Sequence, residues 1–479
     1  MRFSKSHLFI ALVILVNLVG VYLNQSTYDS GDSILHYLQA KSSWKHPMLF
    51  MDHWAKPVFV LLASPFAQFD FMGMKLFNTL CVLASVWVAA KIAKKQGMEV
   101  TWPIWILALS APHVFLVQSS GLTELLIALA LILSIYWVLE DKWMCAGILI
   151  SFTPFIRSEG WILILVFAAI FQLRKQWKAV PMLLAGSVIY GLIGLPVHGD
   201  FLWMFHHNPY SGVEEKYGSG DVLHFVNQLP YLLGWPAFGL MLIGLGVEVK
   251  RWVDSKFQVS LYQLLIVGSF LAILVAHTMF WSMGIFHSFG LKRVLIAVFP
   301  SMILLALRGW DPLLKGVYWM FHTINPLRKQ ENEEKKWYTM AGWKIVLVFM
   351  VVIFPFTGNK AGYEMPDDFS EDASQLAARK AVNWLNTTDY RNNMVCIGNY
   401  YFGELLHRDI YNRNTVLLME AVKDDVVPSG TIVLWDDYFA VSDKDVQLTD
   451  LDSASYQFLK AFKGEDRDYH RQVHVYLKR

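Results

Sequence analysis

Apolar residues in this chain come in long runs, separated by short polar stretches that carry most of the charge. A helix rises about 1.5 Å per residue, so roughly 20 apolar residues span the hydrocarbon of a bilayer. Runs near 8–24, 73–91, 101–118, 122–139, 180–197, 230–248, 259–281, 294–308 and 343–357 meet or approach that length. Two shorter arms, 143–156 and 160–173, flank "RSEG". They lie between Lys142 and the basic cluster Arg174, Lys175 and Lys178, so the chain crosses an even number of times between them and the pair predicts a hairpin. After residue 357 the pattern changes. Residues 360–479 are polar, with one amphipathic helical stretch, "EDASQLAARKAVNWLN", and short apolar runs "NMVCIGNYY", "GTIVLWDDYF" and "VHVYLKR". The expected architecture is a polytopic α-helical membrane region over 1–357, with about eleven crossings, followed by a small α/β or α+β domain over 360–479.

Composition agrees. Of 479 residues, 55% are hydrophobic and 17% charged, where a soluble chain carries about 25% charged residues. Lys and Arg mark the cytoplasmic face. Arg2 and Lys5 place the N-terminus there, as do Lys91, Lys94 and Lys95, then Lys142, Lys250 and Arg251. Arg308 follows, with Arg328, Lys329, Lys335 and Lys336. Only the Lys292–Arg293 pair falls outside, and the C-terminal domain is extracytoplasmic on this tracing. The first run looks like a signal peptide, but no Ala-x-Ala-like cleavage site follows its apolar core, so it is expected to persist as a first span. Compact basic loops favour a bacterial inner membrane. The net charge of +2 is segregated along the chain and gives no surface for nucleic acid. Cys81, Cys145 and Cys396 are scattered, which predicts neither a disulfide framework nor a structural zinc site.

Ionisable residues stand out against this background, most of them on the outer side. "TYDSGDSILHY" places Asp29 and Asp32 just beyond the first run. If Asp29 to Gln39 is helical, the two carboxylates share a face. Each is then a helix cap or a general base aimed at an acceptor hydroxyl. The same loop holds His46, Asp52, His53 and Lys56. They are candidates for a divalent metal site without diagnostic spacing, for phosphate binding by His53 or Lys56, or for an interfacial loop anchored by Trp44 and Trp54. Glu124 opens an apolar run and must face a polar cavity. Arg157 and Glu159 sit at the turn of the short hairpin; Arg157 stays charged, so it needs a carboxylate or a bound anion. Lys292 and Arg293, on the side where cations are disfavoured, call for an anionic headgroup. The loop with His206, His207, Glu214 and Glu215 has the composition of an outer lid.

Together, "YDSGD", "RSEGW" and "GLKRVLIAVFP" resemble motifs of the GT-C superfamily of integral-membrane glycosyltransferases, in order and in side of the membrane. The resemblance covers residues 8–357. It implies transfer of a sugar from a polyprenyl-phosphate carrier to a hydroxyl on a glycolipid, glycan or protein, with inversion and with mannose as the family-weighted sugar. It implies Asp29 or Asp32 as base, Arg157, Lys292, Arg293, His53 and Lys56 around the donor phosphate, and Glu124 and Glu159 in support. Members differ in their need for a divalent metal. The sequence departs from the adjacent Asp-Glu of the protein O-mannosyltransferases. Two other classes compete, a multi-pass transporter and an envelope-assembly scaffold. Charges gathered near one face and halves that do not match weigh against a transporter.

Overall fold

The computed structural model describes residues 5–479 except 99, 208–217, 286–287, 325–332, 453 and 468. Arg2, Glu214, Glu215, Arg328 and Lys329 lie outside the described residues.

Among the described residues, five helices are long and apolar enough to cross a membrane: Ser6–Leu23, Asp70–Lys95, Pro181–His198, Gln263–Met283 and Lys292–Met320. A sixth span results when His224–Leu233 and Trp235–Asp254 are joined, although these two are bent by 116°. The break falls at Gly234, whose φ of +78° suits glycine, with Pro236 opening the next helix. The predicted straight run 230–248 therefore spans two helices. The run 101–118 is likewise divided, into Pro103–Leu109 and Pro112–Gln118. Pro112 has no N–H to continue the first of these and starts the second. Shorter apolar helices, among them Glu124–Leu139 and Gly160–Leu173, complete the helical region. The expected hairpin forms from Trp143–Ser151 and Gly160–Leu173, closed by the turn that carries Arg157 and Glu159.

Lys292–Met320 is almost entirely buried and acts as the central span. Trp235–Asp254 packs along it through glycines. A Cβ on Gly244 would sit 1.8 Å from the Leu305 carbonyl oxygen, and one on Gly309 would sit 2.1 Å from that of Leu240. Along the same helix Arg308 Nε lies 2.8 Å from buried Glu248, so this buried cation is neutralised where it enters.

Residues 395–478 contain a five-stranded mixed sheet in the order β2-β1-β3-β5-β4. Its strands are β1 (Val395–Ile397), β2 (Val416–Leu418), β3 (Ile432–Asp436), β4 (Tyr456–Glu465) and β5 (His470–Lys478). β1 pairs in parallel with β2 and β3, and β5 lies antiparallel between β3 and β4. β1 and β3 are buried throughout, as expected of strands covered on both faces. The predicted amphipathic helix is Ala373–Leu385, started by a capping box between Asp372 and Gln375.

Contacts between distant parts of the chain fix the position of the segment that follows the first helix. Gln375 Nε2 donates to Thr27 Oγ1 at 2.8 Å, and Tyr37 Oη donates to Glu404 at 3.0 Å. Ser33 Oγ accepts from the Gly121 N–H at 2.8 Å, and a Cβ on Gly121 would lie 2.2 Å from the Ser33 carbonyl oxygen. Gly121→Ala should push the Asp32–Ser42 helix off its seat. It is expected to cost about 1–3 kcal/mol, read as a lowered midpoint in thermal unfolding of the detergent-purified protein.

Candidate functional site

Asp29 does not belong to a helix; the helix begins at Asp32. Tyr28 takes a φ of +73°, unfavourable for a residue with a side chain, and this bend turns Asp29 back toward the helix that follows. Its Oδ1 accepts the Gly31 and Ser33 N–H groups at 3.0 and 2.9 Å, which satisfies two donors at that helix start. Asp29 is thus a cap, as one reading of the sequence had it. It is also more. Its Oδ2 receives Arg293 Nη1 at 3.0 Å, while Arg293 Nη2 binds Asp32 Oδ2. The two carboxylates come together because one guanidinium grips both, and not through a shared helical face.

Arg293 also approaches Glu124, with Nε 3.4 Å from Oε1. Glu124 is wholly buried and stands 2.8 Å from Arg157 Nη1. Arg157 in turn meets Glu159 at 2.8 Å and donates to Thr123 Oγ1 at 3.0 Å. The turn that presents Arg157 depends on Gly160, where a Cβ would lie 2.2 Å from the Thr153 carbonyl carbon. The result is one chain of charge, Asp29/Asp32–Arg293–Glu124–Arg157–Glu159, assembled from four parts of the sequence.

This chain, except for buried Glu124, lines a cavity of about 1450 Å3. Lys56 joins the same wall, buried, with Nζ donating to Ser158 Oγ at 3.1 Å; its φ of +68° is a second strained backbone at the site. His36, one turn beyond Asp32, is buried and stacks on Trp54 with ring centres 4.6 Å apart. Another part of the wall comes from the C-terminal region, including Tyr400, Tyr438, Phe439, Tyr469 and Arg471. Sequence reasoning did not find these, because polar and aromatic residues on partly exposed strands and turns carry no pattern of their own.

Two expected members stand apart from the cluster. Lys292 is not on the cavity wall and lies 5.5 Å from the centre of the Tyr231 ring. Consecutive residues of a helical turn point well over 90° apart, so Arg293 and Lys292 cannot both face inward. His53 Nδ1 contacts the His207 carbonyl oxygen at 3.2 Å and lines a smaller neighbouring pocket that shares Ser158 and Glu159. The suggested metal set separates three ways. His46 pairs with Asp409 at 2.8 Å, Asp52 accepts the Ala55 N–H, and His53 turns to His207. Among the described residues no three His, Cys, Asp or Glu side chains are grouped to hold a metal ion. In the suggested lid, His206 pairs with Asp200 at 2.6 Å on the exposed surface. The three cysteines are free thiols.

Burial raises the Asp29 carboxyl to about 6, against the pull of Arg293. For Asp32 burial acts the same way, but Arg293, together with charge from His36, brings it below the ordinary carboxylate range. Burial, with Arg157 as the second cation nearby, brings Lys56 down to about 8 although Glu159 opposes. The two aspartates are therefore separated in acidity by their positions.

No protein-family model matches the chain, and no curated protein sequence does. Its fold has solved counterparts. The chain is similar over 98% of its length to ArnT from Cupriavidus metallidurans bound to undecaprenyl phosphate, at 13% identity, a TM-score of 0.61 and 97% coverage of that chain. Against the apo form of the same protein the values are 12% identity and a TM-score of 0.61, covering 98% of each chain. The chain thus has a multi-pass membrane fold shared with a polyprenyl-phosphate-binding protein.

Glu124 bridges both guanidinium groups without access to water. Arg157 keeps Glu159 and Arg293 keeps both aspartates in Glu124→Gln, so the variant should lose only the link between them and destabilise the protein by about 1–3 kcal/mol. Chemical denaturation followed by Trp fluorescence measures it.

Proposed function

We propose that the protein is a membrane glycosyltransferase that moves a sugar from a polyprenyl-phosphate carrier to an acceptor hydroxyl. One observation carries the reading. Two aspartates, two arginines and a lysine converge on a single large cavity, in a fold shared with a protein crystallised with undecaprenyl phosphate. A volume of about 1450 Å3 exceeds that of an ordinary small-molecule pocket and leaves room for two substrates.

Transfer breaks the bond between the anomeric carbon and the phosphate oxygen and forms one to the acceptor oxygen. The carrier leaves as polyprenyl phosphate, and the acceptor proton passes to a base. A phosphate is a good leaving group, so cationic stabilisation serves that side better than a general acid. Lys56, with Ser158 beside it, suits the phosphate best. Arg157 and Arg293 are largely occupied by carboxylates and act chiefly by holding them.

Asp32 is the better base on geometry. Asp29 Oδ1 already accepts two backbone N–H groups, and its Oδ2 takes Arg293. Asp32 commits Oδ2 to Arg293 and is about half exposed to the cavity, with a side-chain exposure of 47% against 31% for Asp29. Asp29 then orients Arg293 and the start of the helix. Attack opposite the departing phosphate inverts the anomeric centre. Mannose is the sugar that the superfamily favours, and a glycolipid, glycan or protein is the acceptor class. The pattern of basic loops supports a cytoplasmic N-terminus, about eleven crossings over 1–357, and an extracytoplasmic domain over 360–479 in a bacterial inner membrane.

The test is release of undecaprenyl phosphate from labelled undecaprenyl-phosphate sugars. Asp32→Asn is expected to lower the rate by about 10²–10⁴-fold, the usual share of a general base. Asp29→Asn should lower it less and also lower the unfolding midpoint through the lost charge beside Arg293, since an amide oxygen can still accept the two backbone N–H groups. Wild-type rates in both variants would overturn the assignment.

The pH profile should be bell-shaped. The rate falls below about pH 6, as Asp29 takes a proton and loosens its hold on Arg293. It falls again above about pH 8, as Lys56 loses the charge that meets the phosphate. In Lys56→Met the alkaline limb should disappear along with most of the activity.

A further inference from the structure

Arg471 lies on β5 and lines the same cavity as Asp29 and Asp32. Its guanidinium carbon is 4.7 Å from the centre of the Tyr438 ring and 5.2 Å from that of Tyr469. Among the described residues it makes no hydrogen bond and no ion pair. Arg157 and Arg293, by contrast, are both neutralised by carboxylates.

The lack of a partner is notable because acids are plentiful nearby. Several of them are engaged elsewhere. Asp466 accepts the N–H groups of Ala373 and Tyr469, at 2.9 and 2.8 Å. Asp372 caps the Ala373–Leu385 helix, and Glu371 holds Arg379 and Tyr401. Glu364 lies 4.0 Å from Arg467. Two tyrosine rings hold a planar cation in place, and the edge of that cation carries N–H donors in a fork that matches an oxyanion. A guanidinium ordered in this way, with no acceptor among the described residues, is free to receive an anion.

We infer that Arg471 binds an anionic group, phosphate or carboxylate, on the saccharide acceptor, and so selects which acceptor enters. The inference rests on the sugar-transfer reading for the word acceptor; the binding itself does not. The donor phosphate is attached to a lipid and belongs to the wall formed by the membrane-embedded hairpin, where Lys56 and Ser158 stand. The sheet-borne wall is left for the second substrate.

The test uses the full chain in phosphatidylcholine nanodiscs, with glucose 6-phosphate, glucuronate and methyl glucoside as probes in saturation-transfer NMR. Both anionic probes should bind the wild type and lose about tenfold or more in affinity in Arg471→Gln, with Arg471→Lys between the two. Methyl glucoside should not distinguish the variants. Undecaprenyl phosphate should bind Arg471→Gln as it binds the wild type, which also shows that the variant is folded. Equal binding of glucose 6-phosphate by wild type and Arg471→Gln would overturn the proposal. So would a loss of undecaprenyl phosphate affinity in Arg471→Gln, since the donor would then own the cation. Displacement of glucose 6-phosphate by phosphatidylglycerol added to the nanodiscs would assign the site to a lipid headgroup and overturn it as well. If no lipid-linked sugar yields undecaprenyl phosphate while Arg471-dependent binding persists, the transfer reading alone fails.

Discussion

The structure turns on two guanidinium groups set among four carboxylates at the edge of an apolar helix bundle. Removing each ion from water costs several kcal/mol, so none of them is stable there alone. Glu124 carries the argument furthest. It has no exposed surface and touches both Arg157 and Arg293, so it couples the positions of the two arginines. The array acts as one unit that pins the segment after the first helix, the broken helices before Glu124, the short hairpin and the central span to common positions. A site needing two aspartates at fixed places gains that fixity from charges that have no better alternative.

Strain marks the same place. Tyr28 and Lys56 both have positive φ without being glycine, and each lies directly beside or within the array. Such backbones cost of order 1–3 kcal/mol and persist only where their surroundings over-determine them. At Tyr28 the bend turns the following carboxylate onto a helix start and a guanidinium together. At Lys56, which precedes Pro57, the bend sends the side chain to Ser158 while the next helix departs along the membrane-facing bundle. The local cost is met by the contacts that each bend makes available.

Much of this was legible in the sequence, for one reason. In an apolar region every ionisable residue is expensive, so Asp29, Asp32, Glu124, Arg157, Glu159 and Arg293 were conspicuous, and all six do belong to one array. The same logic faltered where burial stopped discriminating. Lys292 and His53 look equivalent to their neighbours in sequence, yet helical rotation and a carbonyl contact send them elsewhere. Helix breaks at Pro112 and Gly234 were written in the chain but were hidden by hydropathy, which counts apolar residues and ignores backbone freedom. In the C-terminal part, β1, β3 and β5 showed as apolar runs. β2, of three residues, and β4, mostly exposed, did not. The tyrosines and Arg471 of the second wall were illegible for the same reason, since on a wet surface such residues are ordinary.

The walls of the cavity come from opposite ends of the polypeptide, residues 28–36 on one side and 438–471 on the other. Translation therefore delivers the carboxylates first and their facing wall last. Until β5 has left the ribosome and slipped between β3 and β4, the early acids stand beside open water and no enclosed chamber exists. A growing chain of this design lacks the complete cavity through nearly all of its synthesis, and premature termination yields a protein with half a pocket.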